Sequence, residues 1–336
     1  MVSSRVHLVA MGGTISMVSS DSGLVPSLDA KDFLRQYHSI PISITSESLT
    51  ALPGASITAT SLNEAILVAR SAVASGAEGV VITQGTDTLE ETSFLADLVW
   101  DHDAPLVLTG AMRPANAPGS DGLGNLSGAI RVAADVHARA RGVLVVFGDE
   151  VFTARHLQKI HSSKLNAFAA PDAGPVGVLG EDQIHWWSPP EAHRRTRFDS
   201  VASPSTIATV IAQLDSSPEV LHWAKQSPVV SGLVLGAMGV GHVPSWWVQP
   251  LADLACEKTV VYCSRTGSGP VFSQTYGFAG SEQDLSERGL LPAGSLNLHK
   301  ARLLLSQCQA ATLNKKDCES LFIEWTAHYS GVRQAK

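Results

Sequence analysis

Gly79-Val80-Val81-Ile82-Thr83, followed at once by Gln84-Gly85-Thr86-Asp87-Thr88, decides the fold. The first five residues form a continuous apolar, β-branched run with no polar alternation. A strand of that kind is covered on both faces, as in a parallel sheet with helices on each side. A glycine-containing turn comes next. After it, residues 89–100 carry apolar groups at helical spacing. The same strand–turn–helix unit recurs along the chain. Strands are expected at 6–11, 106–109 and 143–147, and helices at 62–75 and 125–138. Ser61 caps the first of these helices, and Asp121 or Asn125 the second. This βαβα order predicts an α/β fold whose larger N-terminal domain is an open, mostly parallel sheet with helices on both faces.

The pattern stops near Trp186-Trp187-Ser188-Pro189-Pro190, and a polar, proline-containing stretch follows as far as Pro204. A linker at 189–204 therefore separates an N-terminal domain, 1–188, from a smaller C-terminal α/β domain, 205–336. In the latter, strands are expected at 232–235 and 259–263, and helices at 246–256, 298–309 and 316–326.

Bulk properties narrow the function. The chain has 336 residues, 44% of them hydrophobic and 16% charged, enough for two buried cores. The formal net charge is -7. The densest basic run, His193-Arg194-Arg195-Thr196-Arg197, is too short to follow a phosphate backbone, so no nucleic-acid partner is expected. No stretch is long and apolar enough to span a bilayer, and the N-terminus lacks a signal-peptide pattern, so a cytoplasmic location is expected. The 4 cysteines form no Cys-x-x-Cys pair and the 12 histidines lack ligand spacing, so neither metal nor cofactor is expected. Cys256, Cys263, Cys308 and Cys318 read as buried, reduced thiols.

Open parallel sheets bind ligands beyond the carboxyl ends of their strands. Gly12-Gly13-Thr14-Ile15 follows the first strand, Gln84-Gly85-Thr86-Asp87-Thr88 the second, and Gly110-Ala111-Met112-Arg113-Pro114 the third. Glycine lets the backbone approach a small ligand and offer N–H groups to it. A threonine hydroxyl attacks only when a base takes its proton. Asp87 and Lys159, the latter just past the last strand expected in the large domain, complete a hydroxyl–base–carboxylate relay. Each signal also has a plainer reading. Thr14 and the Thr86–Thr88 segment could be helix caps, and Lys159 a surface lysine.

The motifs also carry a family resemblance. Met11-Gly12-Gly13-Thr14-Ile15 and the segment from Val81 to Thr92 resemble the two threonine signatures of the bacterial-type asparaginase/glutaminase family, which includes L-asparaginase. Gly110-Ala111-Met112-Arg113-Pro114, Ser120-Asp121-Gly122-Leu123-Gly124-Asn125-Leu126, the segment 141–147 and Lys300-Ala301-Arg302-Leu303-Leu304-Leu305 resemble further family segments in the same order. The resemblance implies hydrolysis of the side-chain amide of L-asparagine. Thr14 would be the nucleophile, and Thr86 with Lys159 would assist proton transfer. Asp87 would hold the substrate ammonium, Ser56 its carboxylate, and the Ala111 carbonyl the leaving amide. It also implies a homodimer or homotetramer in which a neighbouring subunit contributes Glu282 and His242 to the site.

Two features depart from the family pattern. The lid after the first threonine, Ser19-Ser20-Asp21-Ser22-Gly23-Leu24-Val25-Pro26, has no tyrosine, and His242 stands where relatives often have asparagine. A glutaminase-asparaginase, another small-amide amidohydrolase and a non-catalytic amino-acid-binding protein are the alternative functions.

Overall fold

A computed structural model describes residues 4–20, 23–26, 42–181, 183–190 and 198–329. The basic run at 193–197 lies outside these residues. The chain divides into two compact units, Met1–Val201 and Ala202–Lys336.

The first unit contains β1 (Ser4–Gly12), β2 (Met17–Ser20), β3 (Gly23–Pro26), β4 (Ile42–Leu52), β5 (Gly79–Thr83), β6 (Leu106–Thr109), β7 (Val143–Phe147), β8 (Glu150–Thr153), β9 (Gln158–Lys159), β10 (Phe168–Ala169), β11 (Gly177–Gly180) and β12 (Gln183–Trp186). Eight of them form one sheet in the order β12-β11-β8-β7-β6-β5-β1-β4. The stretch from β4 to β7 is parallel. β8, β11 and β12 extend it in antiparallel fashion, so Lys159 does not follow the last strand of this unit. The turn between β7 and β8 is Gly148-Asp149, with φ of 58° and 66°. Two successive positive φ values mark a tight hairpin whose twist matches its strands, which is why the sheet reverses direction there.

Every residue of β5, β6 and β7 is buried, as their unbroken apolar runs predict. The helix Gly122–Ala134 shares one core with Val6, Leu8, Val81, Val107 and Leu144. The helices Ala59–Ala74 and Leu89–Val99 pack against the other face of the same strands. The edge strand β4 was not read from the sequence. It alternates, with Ile42 and Ile44 against the core and Ser43, Thr45 and Glu47 exposed. Ser61 is not the cap of its helix. Thr58 is, and Ser61 closes a capping box with it three residues later.

In the second unit β13 (Ile207–Ile211), β14 (Gly232–Ala237), β15 (Thr259–Ser264) and β16 (Leu291–Pro292) make a parallel four-stranded sheet in that order. Its helices are Glu219–Gln226, Val248–Glu257, Glu282–Glu287, Leu298–Ala311 and Lys315–Tyr329. Leu233, Leu235, Val260, Tyr262, Trp247 and Leu251 anchor its core. Three of the four cysteines are buried; Cys256 is exposed, contrary to expectation. Burial pushes the Cys263 thiol up to about 12 and that of Cys318 up to about 11, so both stay protonated near neutral pH.

Part of the stretch read as a linker is packed. The Phe198 N–H donates to the Leu98 carbonyl (3.1 Å) and the Val201 N–H to Asn63 Oδ1 (3.3 Å) in the first unit. The Ala202 N–H donates to Gln307 Oε1 (2.6 Å) in the second. Among the described residues no helix is long and apolar enough to cross a membrane.

Candidate active site

Three turns of the first unit touch backbone to backbone. Gly12 and Gly13 follow the core of β1 with φ of 90° and 83°, values an L side chain rarely adopts. The Gly13 N–H donates to the Leu52 carbonyl at 3.0 Å. A Cβ placed on Gly13 would collide with the backbone of Gly85, the turn after β5. A Cβ on Gly85 would lie 2.5 Å from Gly54 Cα, in the turn after β4. The Thr88 hydroxyl ties the same turns together by donating to the Gly54 carbonyl at 2.8 Å. Thr14, half-buried, opens the 3-10 turn Thr14–Ser16 on one side of this contact. Thr86 stands next to Gly85 on the other.

Around Thr86 the polar groups converge. Lys159 Nζ donates to Thr86 Oγ1 at 3.1 Å and to Asp87 Oδ1 at 2.9 Å. Thr86 is buried, Lys159 is mostly covered with 18% of its side chain exposed, and Asp87 is 64% exposed. The carboxylate therefore faces solvent and the hydroxyl faces protein, with the amine between them. That order suits a relay in which the amine exchanges a proton with the hydroxyl while the carboxylate offsets its charge. The Lys159 N–H is itself held, donating to Glu90 Oε2 at 2.8 Å. The capping reading of this segment holds in position only. Thr88 occupies the N-cap position of Leu89–Val99 but makes no capping bond, and Asp87 pairs with Lys159.

Ala111 is fully buried after β6. Its turn is fixed by two residues read from the sequence only as alternative caps. The Asp121 carboxylate accepts from the N–H groups of Met112 and Arg113, each at 2.9 Å, and makes no capping bond. Asn125 Nδ2 donates to the Gly110 carbonyl at 3.0 Å, and Asn125 Oδ1 accepts from the Gly148 N–H at 3.0 Å. Gly122 lets this helix press onto the turn, since a Cβ there would lie 3.2 Å from Ile15 Cγ1 and 3.4 Å from Ala111 Cβ. The segments of Thr14 and Ala111 thus share one packed contact. The i, i+4 spacing of Asp121 and Asn125 in a glycine-rich helix start was the available signal.

Ser56 is exposed and ends the short turn Gly54–Ser56, in which its N–H donates to the Pro53 carbonyl at 2.9 Å. The lid segment forms a hairpin in which β2 and β3 pair Met17 with Pro26 and Ser20 with Gly23; residues 21 and 22 lie outside the description.

In the second unit His242 and Glu282 meet each other, with Nε2 3.3 Å from Oε2. Glu282 is fully buried, and its Oε1 accepts from the N–H groups of Thr275 and Tyr276, each at 2.8 Å. Burial acts to raise this carboxyl. The N–H groups of Tyr276 and Thr275, with the His242 ring, outweigh it and hold the group below its ordinary value. The rings of Tyr276 and Phe278 stand edge-on to His242, with centroids at 4.8 and 5.0 Å. Among the described residues no cluster of three His, Cys, Asp or Glu side chains is arranged to hold a metal ion.

Known proteins share this architecture. The family description "Asparaginase, N-terminal" matches residues 5–192, and "Glutaminase/Asparaginase C-terminal domain" matches residues 207–322. The probable L-asparaginase of Deinococcus radiodurans is 33% identical over 324 residues, 95% of this chain and 97% of that protein. The glutaminase-asparaginase of Pseudomonas aeruginosa is 29% identical over 349 residues, covering 96% of this chain and 91% of its own length. The crystal structure of the probable cytoplasmic L-asparaginase from Campylobacter jejuni superposes with a TM-score of 0.83 at 26% identity, over 96% of this chain and 100% of that one. On the strength of the match in both halves, together with the motif-bearing turns brought into contact, the chain belongs to the asparaginase/glutaminase family.

Proposed function

We propose that this chain is an L-asparaginase that hydrolyses the side-chain amide of L-asparagine to L-aspartate and ammonia. The observation that carries the reading is the placement of Lys159 Nζ within hydrogen-bond reach of both Thr86 and Asp87, in a turn that abuts Gly13 beside Thr14. In this reading the Thr14 hydroxyl adds to the amide carbon and gives up its proton. The amide nitrogen gains a proton and leaves as ammonia. Water then cleaves the resulting ester and restores Thr14. Since the lid carries no tyrosine, the proton transfers fall to Thr86, with Lys159 and Asp87 behind it. Asp87, the exposed member, also receives the substrate ammonium. Ser56 faces its carboxylate, and the Ala111 carbonyl accepts from the leaving amide. The Thr86 N–H would contribute to the oxyanion site.

His242 and Glu282 are proposed to come from a second copy of the chain in a homodimer or homotetramer, with the buried carboxylate backing the imidazole. A cytoplasmic location belongs to the same reading. The experiment is ammonia release from asparagine by the purified protein, without added metal or nucleotide. No release from correctly assembled protein defeats the proposal. A glutaminase-asparaginase is the second reading, favoured by the Pseudomonas aeruginosa relative. Glutamine is longer by one methylene, and a pocket alone discriminates at that level by about 1–3 kcal/mol. A comparison of kcat/KM for the two substrates decides between them.

A further inference from the structure

We infer that Glu90 is a positioning residue for Lys159, fixing the lysine backbone so that its amine reaches Thr86. The inference rests on the amidohydrolase reading for its functional meaning, but its geometry stands by itself. Lys159 lies in β9, a strand of two residues paired only with the two residues of β10 in the ladder Phe168–Lys159 and Ala169–Gln158. A ladder that short holds a backbone weakly. The side chain, moreover, is long and flexible, so its amine goes where backbone and contacts send it.

The Ile160 N–H continues the pairing by donating to the Ala167 carbonyl at 2.8 Å, and Glu90 adds a restraint on the Lys159 N–H itself. It is the second residue of the helix Leu89–Val99, buried at 8% exposure, and its Oε2 accepts the Lys159 N–H at 2.8 Å. A bond from N–H to an ionised carboxylate is shorter and stronger than a neutral one. The turn before this helix carries Thr86 and Asp87, which accept from the lysine amine at 3.1 and 2.9 Å. One rigid turn–helix element therefore grips the lysine at both ends, its backbone through Glu90 and its amine through Thr86 and Asp87. Glu90 touches no reacting atom. Its role is to set the place from which the amine extends.

Steady-state asparagine hydrolysis tests this with full-length variants. Glu90→Gln keeps an acceptor oxygen at the same reach and loses the charge. Glu90→Asp keeps the charge and withdraws the oxygen by one methylene. Glu90→Ala removes the acceptor. The expected order of kcat is wild type, then Gln, then Asp, then Ala. Glu90→Ala should lose about ten- to a hundredfold, because a small misplacement of a reacting group costs on that scale. KM should change little. In a Lys159→Met background Glu90→Ala should cost almost nothing more, since the group it positions is gone.

Wild-type kcat in Glu90→Ala would overturn the inference, as would Asp outperforming Gln or full additivity with Lys159→Met. If the Ala variant does not fold, the Gln and Asp variants carry the comparison. A crystal structure of Glu90→Asp supplies a readout independent of turnover: the Lys159 amine should leave hydrogen-bond reach of Thr86, and an unmoved amine defeats the inference. A wild type inert toward asparagine would leave that readout intact and would count against the amidohydrolase reading alone.

Discussion

Gly13 and Gly85 lie in direct backbone contact, so that a single added carbon on Gly13 would overlap the Gly85 backbone. This contact joins the turn of Thr14 to the turn of Thr86. Gly85→Ala forces its Cβ to 2.5 Å from Gly54 Cα, and two backbone segments must separate to admit it. Overpacking of that kind costs typically about 1–3 kcal/mol. The expected outcome is a lowered melting temperature and a fall in kcat larger than the loss of stability explains. Calorimetry and kinetics on one preparation check it. An active Gly85→Ala protein with unchanged kcat would show that the Gly54 and Gly85 turns need not be held in contact for catalysis.

Thr14→Ala separates the enzyme from a binding protein that uses its threonines as ligand contacts. Under the proposed mechanism it abolishes turnover while aspartate still binds, as calorimetric titration would read. Turnover that survives the substitution removes Thr14 from the role of nucleophile.

Lys159→Met removes the amine and keeps an unbranched apolar stem in place of the lysine methylenes. The expected loss in kcat is about 10²–10⁴-fold, the usual contribution of a positioned proton-transfer group. Lys159→Arg should not restore it, because a guanidinium cannot give up its proton and has a different shape. A rate within tenfold of the wild type, on the order of a minor contribution, would rule out the relay.

Asp121→Asn weakens the grip on the Gly110–Arg113 turn. The carboxylate now accepts two N–H groups; the amide presents one oxygen and one NH₂ group, which cannot accept. The expected result is a moderate loss in kcat/KM with little change in melting temperature, measured by steady-state kinetics and thermal denaturation. A variant indistinguishable from the wild type would show that the turn is held by Asn125 and by packing against Ile15 and Gly122, without the Asp121 carboxylate.

Glu282 gives the second unit a dependence on acid. Its carboxyl is held below its ordinary value near 4.5, so the stability it contributes is complete above that value and is lost as pH falls through the folded-state value. The expected observation is that part of the acid-induced drop in stability, below about pH 4.5, disappears in Glu282→Gln. That variant should also be less stable than the wild type at neutral pH, where it replaces the charged acceptor of the Thr275 and Tyr276 N–H groups with a neutral one. Urea titrations across pH read both effects. Parallel pH curves for the two proteins would mean that the Glu282 carboxylate, held by the Tyr276 and Thr275 N–H groups, carries no linkage.

The elements that the sequence disclosed share one property: their signal is local. β5, β6 and β7 appear at the residues expected, because an unbroken apolar run has few ways to be buried. β4 was missed because one face of an edge strand is polar, which dilutes the pattern. β8, β11 and β12 were missed because they are short and their pairing depends on a hairpin turn rather than on composition. Ser61 was misplaced as a cap, and Asp121 stands at the N-cap position as expected but spends its carboxylate on the Met112–Arg113 turn, for a related reason. A polar residue near a helix start can serve its own helix or a neighbouring turn, and only the packing of that turn decides which.

The sequence by itself determined the α/β class, the glycine–threonine turns at the strand ends and the kind of chemistry they could support, because periodicity and turn residues act over a few positions. The tertiary structure decided that Lys159 reaches Thr86 across 73 positions of chain, that Glu90 holds its backbone, and that Glu282 is enclosed beside His242. Those are distances between segments far apart in the chain. They are set by the packing of whole strands and helices, which no short stretch of residues records.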